Sequence, residues 1–422
     1  MVAACAFPST RGSQVLIREL AQSLAQRGHE VHLVTYPYGE NLVPIHGIFV
    51  HRARAPRFAM YARGLGWRKL VLDVCLALEL HRVVRRRRID VIHAHNYEGP
   101  LIGYLVRLLT GVPVVYHSHN ALEDELACYF GPGWRRLAQR VGKILDRQIP
   151  RRADFSVALT SELEGFLRAR GVAADRIATV PPGGGLPPLM ESSADNQDPF
   201  PGRFAVTYAG NLDPYQDLDV LVRAFETFRE RVPSALLTVV THEAGWVQCL
   251  GRRFQALVEA GDACAIVAPT FHVVRRFLAR ADVLVCPRSS WSGYPIKLIN
   301  YMASGRPIVA AQGSAKGIVD GETGLIFRDH DARDLAAVLD RLFMDAPLRQ
   351  RLGQQARLAS GAANGWARVA AQISRVYEQV LAPATTDLTG HSQSTARRET
   401  EKARLMNFPS NRIGAASSTR LG

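Results

Sequence analysis

Residues 289–327 read SSWSGYPIKLINYMASGRPIVAAQGSAKGIVDGETGLIF, and shortly before them Ala281 to Pro287 reads ADVLVCP. The apolar run ends at a proline and predicts a buried strand. A short loop holding Gly293 and Pro295 follows. Ile296, Leu298, Ile299 and Met302 then have the spacing of a short helix that enters a core. Gly305 and Pro307 stop that helix, and IVAA begins another strand. Strand, glycine loop, helix, glycine and strand make one unit of an open parallel sheet. Ligands of such sheets bind outside the carboxyl ends of the strands, where a helix N-terminus offers unpaired N–H groups to a phosphate. An anion site is therefore expected near Ser292 to Pro295.

The flanking segments repeat the pattern. FAVTYAG (Phe204 to Gly210) predicts a strand that runs into the loop NLDPYQD. Leu218 to Phe228 reads as a helix, Ala235 to Val240 as a strand, Ala265 to Val267 as a short strand and Val273 to Leu278 as a helix. Downstream, Ala332 to Leu342, Leu348 to Ala359 and Trp366 to Leu381 have helical spacing, the last strongly amphipathic. The first half of the chain holds a second series. Met1 to Phe7 reads as the end of a strand, and FPSTRGSQ (Phe7 to Gln14) as a polar loop with one glycine, Gly12. Val15, Leu16, Leu20, Leu24 and Ala25 share a helical face that Gly28 ends, and His29 to Tyr36 is the next strand. Asp154 to Leu159 and Arg176 to Val180 predict further strands. PPGGGLPP and the polar stretch 191–201 form the interior linker. From Pro383 the chain is polar and aperiodic, and it reads as a disordered tail.

Length and composition narrow the function. At 422 residues the chain exceeds one ordinary core, so two domains are expected. Six scattered cysteines lack metal spacing and read as free thiols of a reducing compartment. No signal peptide and no apolar run of membrane-spanning length is evident. The formal charge of +14 points to a polyanionic partner, that is nucleic acid, anionic lipid or a phosphorylated substrate, or else to a solvated basic surface. Zinc-finger, RNP and basic-zipper signatures are missing, which sets nucleic acid aside. Much of the charge is local, in Arg85 to Arg88 and in Trp134 to Arg152. The long helical stretch Phe58 to Arg88 reads either as a basic amphipathic segment for an anionic membrane or as a core helix with a solvated end.

Four histidines fall at two strand ends: His93 and His95 in DVIHAH, and His117 and His119 in the HSHN that follows PVVY. Alternation puts 117 and 119 on one side, at the carboxyl end. HxH pairs on strands lack the helical HExxH arrangement, so a cleft histidine acting by hydrogen bonding or acid–base work is preferred to a metal site. Simple packing is the third reading.

These segments together resemble the GT-B glycosyltransferases of family 4, the glycosyl-group-1 transferases. The carriers are RGSQVLIRELAQSLAQRGHEVHLVTYP, DVIHAHNYEGP, PVVYHSHN, VTYAGNLDPYQDLDVLVRAF and GYPIKLINYMASGRPIVAAQGSAKGIVDGETGLIF, and the likeness runs from about Ala3 to Leu381. The resemblance implies an α/β fold of two Rossmann-like domains facing a central cleft. Expected are an acceptor-side domain at 1–185, a linker at 186–202, a nucleotide-sugar domain at 203–365, a C-terminal helix at 366–382 packing back toward the first domain, and a tail at 383–422.

The resemblance also implies roles. Gly12 and Ser13 match the glycine loop near the donor diphosphate, and His119 the histidine that touches the donor sugar. The family's Glu-x7-Glu pair falls on Ser292 and Asn300, and its phosphate-binding Arg and Lys fall on Asn211 and Gln216, so the chain departs at all four positions. Lys297 is expected to supply the missing cation, with Gly293, Tyr294, Pro295 and Ile296 lining the donor site. The implied reaction is transfer of a sugar from a nucleotide sugar to a glycan or lipid-linked acceptor, with retention and without a metal or cofactor. The implied setting is cell-surface polysaccharide synthesis, in the cytoplasm or on the inner membrane face. A non-catalytic scaffold and a nucleotide-sugar epimerase on the same fold are the alternatives.

Overall fold

The computed structural model describes residues 1–9, 12–39, 46–60, 66–128, 130–184, 200–242, 250–268, 270–363 and 365–382. The expected tail and most of the expected linker lie outside the described residues. The described chain from Met1 to Leu381 forms one compact unit.

Its first sheet has seven strands: β1 (Val2–Ala3), β2 (Val31–Thr35), β3 (Ile48–Arg52), β4 (Ile92–His95), β5 (Val114–Ser118), β6 (Phe155–Ala158) and β7 (Ile177–Thr179). Its second has six: β8 (Phe204–Ala209), β9 (Ala235–Thr241), β10 (Ala263–Val267), β11 (Val283–Cys286), β12 (Ile308–Ala311) and β13 (Leu325–Phe327). Every ladder is parallel. Parallel sheets are covered on both faces, so their strands are apolar throughout. Accordingly β2, β8, β9, β11 and β12 are buried at every position.

The helices are α1 (Gly12–Gln26), α2 (Trp67–Arg87), α3 (Glu98–Thr110), α4 (Leu122–Cys128), α5 (Pro132–Arg152), α6 (Ser161–Ala169), α7 (Leu218–Arg231), α8 (Gly251–Glu259), α9 (Phe271–Arg280), α10 (Ile296–Ser304), α11 (Ala332–Met344), α12 (Ala346–Ala363) and α13 (Trp366–Leu381). α10 begins after Pro295 and ends at Gly305, whose φ of +72° provides the left-handed cap. Val369, Ala370, Ile373 and Val376 of α13 join Leu20 and Leu24 of α1 and Val115 of β5 in one core. The last helix therefore packs on the first sheet, not the second.

The strand orders are β3-β2-β1-β4-β5-β6-β7 and β10-β9-β8-β11-β12-β13. In both, the order reverses beside the first strand, between β1 and β4 and between β8 and β11. Such a switch point opens a crevice at the carboxyl ends of the strands. The segments singled out by sequence follow these four strands or β5, the neighbour of β4, and so lie at one edge of each sheet.

Several elements departed from the sequence reading, α4 and β13 among them, which it did not assign. Gly12 and Ser13 are the first residues of α1, not part of the preceding loop. β3 was missed because it is an edge strand that is only partly buried, with Phe49 exposed. α5 read as a charge run because seven Arg and Lys dominate its 21 residues and most of its surface meets solvent. α8 was also missed; Phe254 and Leu257 are its buried residues.

Candidate active site

The first sheet contributes a stack of imidazoles. β4 and β5 pair with His95 opposite His117 and His93 opposite Val115, which brings the four histidines together. His93 Nε2 is hydrogen-bonded to His117 Nδ1 at 3.0 Å, and His95 Nδ1 to His119 Nε2 at 3.2 Å. Tyr377 of α13 closes the far end, with its hydroxyl 2.5 Å from His93 Nδ1. His93, His95 and His117 stack, and His119 stands edge-on to His95. Burial holds all four below the usual imidazole range, His119 at about 4. At neutral pH His119 is therefore an uncharged imidazole, able to hydrogen-bond a sugar hydroxyl but not to act as a cation.

Three of these rings have nitrogen atoms within 4.8 Å of one another, in His93, His95 and His117. Their interplanar angles are only 13°, 18° and 30°. A metal must lie near the plane of each ligating ring, and near-parallel stacked planes do not converge on one point. Both nitrogens of His93 are also engaged, by Tyr377 and His117. The trio is built as a hydrogen-bonded stack, a poor fit to a metal.

The second sheet contributes a connected polar chain. At the end of β8, Gln216 Nε2 donates to Asn211 Oδ1 at 2.7 Å. Asn211 Nδ2 donates to Asp213 and, at 2.9 Å, to the Tyr215 hydroxyl. Lys297, in the first turn of α10, reaches under this loop. Its Nζ donates to Gln216 Oε1 at 2.7 Å and to the Tyr208 hydroxyl at 2.6 Å, and it lies 4.0 Å from the Tyr208 ring centroid. The Tyr208 hydroxyl donates onward to the Asn211 carbonyl. A side chain at Gly210 would meet Lys297 Nζ at 2.7 Å and the Tyr208 hydroxyl at 3.0 Å, so the glycine leaves room for the lysine to approach the loop. Burial pulls the Lys297 amine down to about 7. Three sequence-expected residues, Asn211, Gln216 and Lys297, thus form one network, in which Lys297 supports the loop from beneath.

The two halves meet at the expected loops. Ile296 Cγ1 would lie 3.6 Å from a Cβ at Gly12, so the N-terminal turns of α1 and α10 touch across the cleft. Gly293, at φ +80°, sits against His119 and Asn120; a Cβ there would fall 2.8 Å from the His119 carbonyl oxygen. Ser292 is buried, Pro295 precedes the first turn of α10, and Ser13 Oγ donates to Gln14 Oε1 at 3.2 Å. Tyr294 turns its hydroxyl toward Gly317, and Asn300 lies a turn deeper in α10, half-buried. Lys316 Nζ and Glu162 Oε1 form a 2.7 Å ion pair between the halves, and Phe166 packs on Trp291 at 5.1 Å.

Sequence reading missed Arg288 and Glu125. Arg288 follows the proline that ends β11, at the carboxyl edge. Its Nη2 donates to the Ser292 carbonyl at 2.5 Å, its guanidinium lies 5.2 Å from the Tyr215 ring centroid, and its buried Nε has no partner among the described residues. Glu125 of α4 accepts from Asn120 Nδ2, and burial raises its carboxyl to about 7 although the nearby Arg288 opposes that shift. Position alone signalled Arg288: it stands where a strand end meets the expected anion loop.

Residues 11–183 match the profile described as glycosyl transferase 4-like domain, and residues 203–345 that described as glycosyl transferases group 1. The D-inositol 3-phosphate glycosyltransferase of Nocardia farcinica is 29% identical over 395 residues, spanning 88% of this chain and 85% of the relative. Among solved structures, sucrose-phosphate synthase from Thermosynechococcus elongatus superposes with a TM-score of 0.76 at 19% identity, over 90% of this chain and 98% of its own. Anabaena HepE in complex with UDP-glucose superposes with a TM-score of 0.70 at 16% identity, over the same shares. The fold is GT-B.

Proposed function

The chain belongs to the group 1 glycosyltransferases, and from that premise we propose that it transfers a sugar from a nucleotide-sugar donor whose diphosphate lies between the N-terminal turns of α1 and α10. The observation that carries this reading is the contact of Gly12 with Ile296, next to that of Gly293 with His119. It brings two helix N-termini, a neutral histidine and Arg288 to one crevice. Backbone N–H groups at a helix N-terminus stabilise a departing diphosphate because their partial charge is fixed in advance of bond breaking. Arg288 provides the charge-assisted contact that Asn211 and Gln216 cannot.

In this reading the Lys297–Gln216–Asn211 chain holds the loop after β8 in shape, and His119 hydrogen-bonds the donor sugar. Transfer proceeds with retention and without a metal, since the cationic and backbone donors take the role a divalent ion would have at the diphosphate. The acceptor is a glycan or lipid-linked hydroxyl compound offered from the first-sheet side, in the synthesis of a surface glycan. The Nocardia farcinica relative is named a D-inositol 3-phosphate glycosyltransferase, and the +14 charge of this chain agrees with an anionic acceptor.

A thermal-shift panel of nucleotide sugars tests the donor claim, because a ligand that binds only the native state raises its stability by mass action. At least one nucleotide sugar should raise the midpoint, and its transfer product should form in the presence of EDTA with the anomeric configuration kept. Donor bound but never consumed would favour the scaffold, and an epimerised donor recovered by NMR would favour the epimerase.

A further inference from the structure

We propose that the layer formed by α2, α3 and α5 is the face on which this protein lies against an anionic lipid bilayer. The crossovers from β3 to β4, β4 to β5 and β5 to β6 all step in the same direction along the sheet, so right-handed connections place their helices on a single face. The three helices are tied side by side there. Lys69 pairs with Glu98, the Tyr104 hydroxyl donates to the Ile149 carbonyl at 2.6 Å, and Arg107 Nη1 donates to the Arg152 carbonyl at 3.0 Å.

Each helix carries an apolar stripe that nothing described covers. On α5, Trp134, Leu137, Val141 and Ile144 are 66%, 50%, 41% and 61% exposed, with the three- and four-residue spacing of one helical face. On α2, Trp67, Leu70, Val74 and Leu78 are 60% exposed or more, opposite the residues that face the sheet. Leu105 and Leu108 of α3 are 52% and 83% exposed. Single exposed apolar side chains are ordinary, but aligned stripes on neighbouring helices are not.

Charge selects the occupant. α5 carries seven Arg and Lys and a single acid, Asp146, which is buried and accepts the backbone N–H groups of Leu122 and Glu123. Arg135, Arg136, Arg140 and Lys143 interleave with the apolar stripe and pair with no carboxylate among the described residues. A basic helix with a Trp- and Leu-bearing face is the pattern of segments that lie in a bilayer interface. A second copy fits poorly, because a twofold contact through α5 would set its cations against their own equivalents. No helix of the described residues is long and apolar enough to cross a membrane, so the face lies on the bilayer and does not span it. α5 packs on α4 through Gly142 and Glu123, and α4 carries Glu125 at the cleft. Docking would hold the crevice close to lipid-borne acceptors, a consequence that rests on the glycosyltransferase reading; the docking itself does not.

The test is sedimentation of the full chain with vesicles of phosphatidylcholine, with and without phosphatidylglycerol. Binding to the anionic vesicles should exceed that to the neutral ones by at least about tenfold and fall at high salt. The pair Trp134→Glu with Ile144→Glu, and separately Arg136→Gln with Arg140→Gln and Lys143→Gln, should each remove most of it. Met344→Glu, on the second half, should leave it unchanged. Soluble nucleotide-sugar binding, measured in parallel without vesicles, keeps a failure here separate from a failure of the donor reading. No sedimentation with anionic vesicles would overturn the proposal. So would equal binding to neutral vesicles, binding untouched by both sets of substitutions, or a dimer in solution that those substitutions dissolve.

Discussion

The carbonyl oxygen of His119 lies 2.8 Å from the point where a side chain at Gly293 would begin. One residue ends a strand segment of the first sheet, and the other opens the anion loop of the second. Their contact closes the crevice at its centre, and Gly293 holds φ +80°, a region that only glycine enters readily.

Gly293→Ala is therefore expected to be costly twice over. The backbone term is about 1 kcal/mol or more, and the methyl group must also displace the His119 carbonyl. The expected outcome is a loss of transfer activity larger than the loss of thermal stability, because separating the halves spoils the site before it unfolds either sheet. Equal activity in Gly293→Ala and the parent would show that this contact is not part of the working enzyme.

Lys297 acts through Gln216 and Tyr208. Lys297→Met keeps the aliphatic stem but leaves the Gln216 Oε1 and Tyr208 acceptors without their donor. Breaking hydrogen bonds to a charged group costs about 1.5–3 kcal/mol, so donor affinity should fall about tenfold to a hundredfold. The pH profile separates this role from packing. Burial lowers the amine to about 7, and an anionic donor favours its protonated form, so donor affinity of the parent should decline as pH rises through about 7. Lys297→Met should lack that decline.

Arg288→Gln should raise the donor KM by about tenfold or more, since a charge-assisted contact is roughly twice as strong as a neutral one. Arg288→Lys should recover only part of it, because an ammonium cannot both reach the Ser292 carbonyl and present a planar fork. Competition by free nucleoside diphosphate should weaken in parallel, while competition by the free sugar should not.

The histidine stack gives the fold an acid limit. His119 is held at about 4, against an ordinary value of 6.5. Between these values the unfolded chain binds more protons than the native one, so stability is intact above about 6.5 and falls as pH drops from there toward 4. His119 alone accounts for about 3 kcal/mol of loss by the lower limit, and the other three shift in the same direction. Chemical denaturation between pH 7 and pH 4.5 should show this slope, and His119→Asn should flatten part of it.

Much of this was legible in the sequence for a physical reason. Parallel strands buried on both faces write long apolar runs, so β8, β11 and β12 stood out, and Gly305 and Pro307 marked where α10 stops. The placing of Asn211, Gln216 and Lys297 near one another followed from the resemblance, but their connection did not. Whether a lysine points to solvent or under a loop depends on the depth of Tyr208, which no local pattern encodes. Arg288 was overlooked because an isolated arginine after a strand looks like any surface arginine until Tyr215 and the Ser292 carbonyl are placed around it. α5 was overlooked because its run of Arg and Lys masks the apolar residues spaced between them.

The central claim is that a nucleotide-sugar diphosphate binds between Gly12 and Ile296, against Arg288. Titration calorimetry of the purified chain with a panel of nucleotide sugars, run beside Arg288→Gln and Gly293→Ala, tests it most directly. The account predicts saturable binding of at least one donor by the parent, weakened about tenfold or more in both variants. Binding of equal strength in all three proteins, or no binding of any nucleotide sugar, would contradict it.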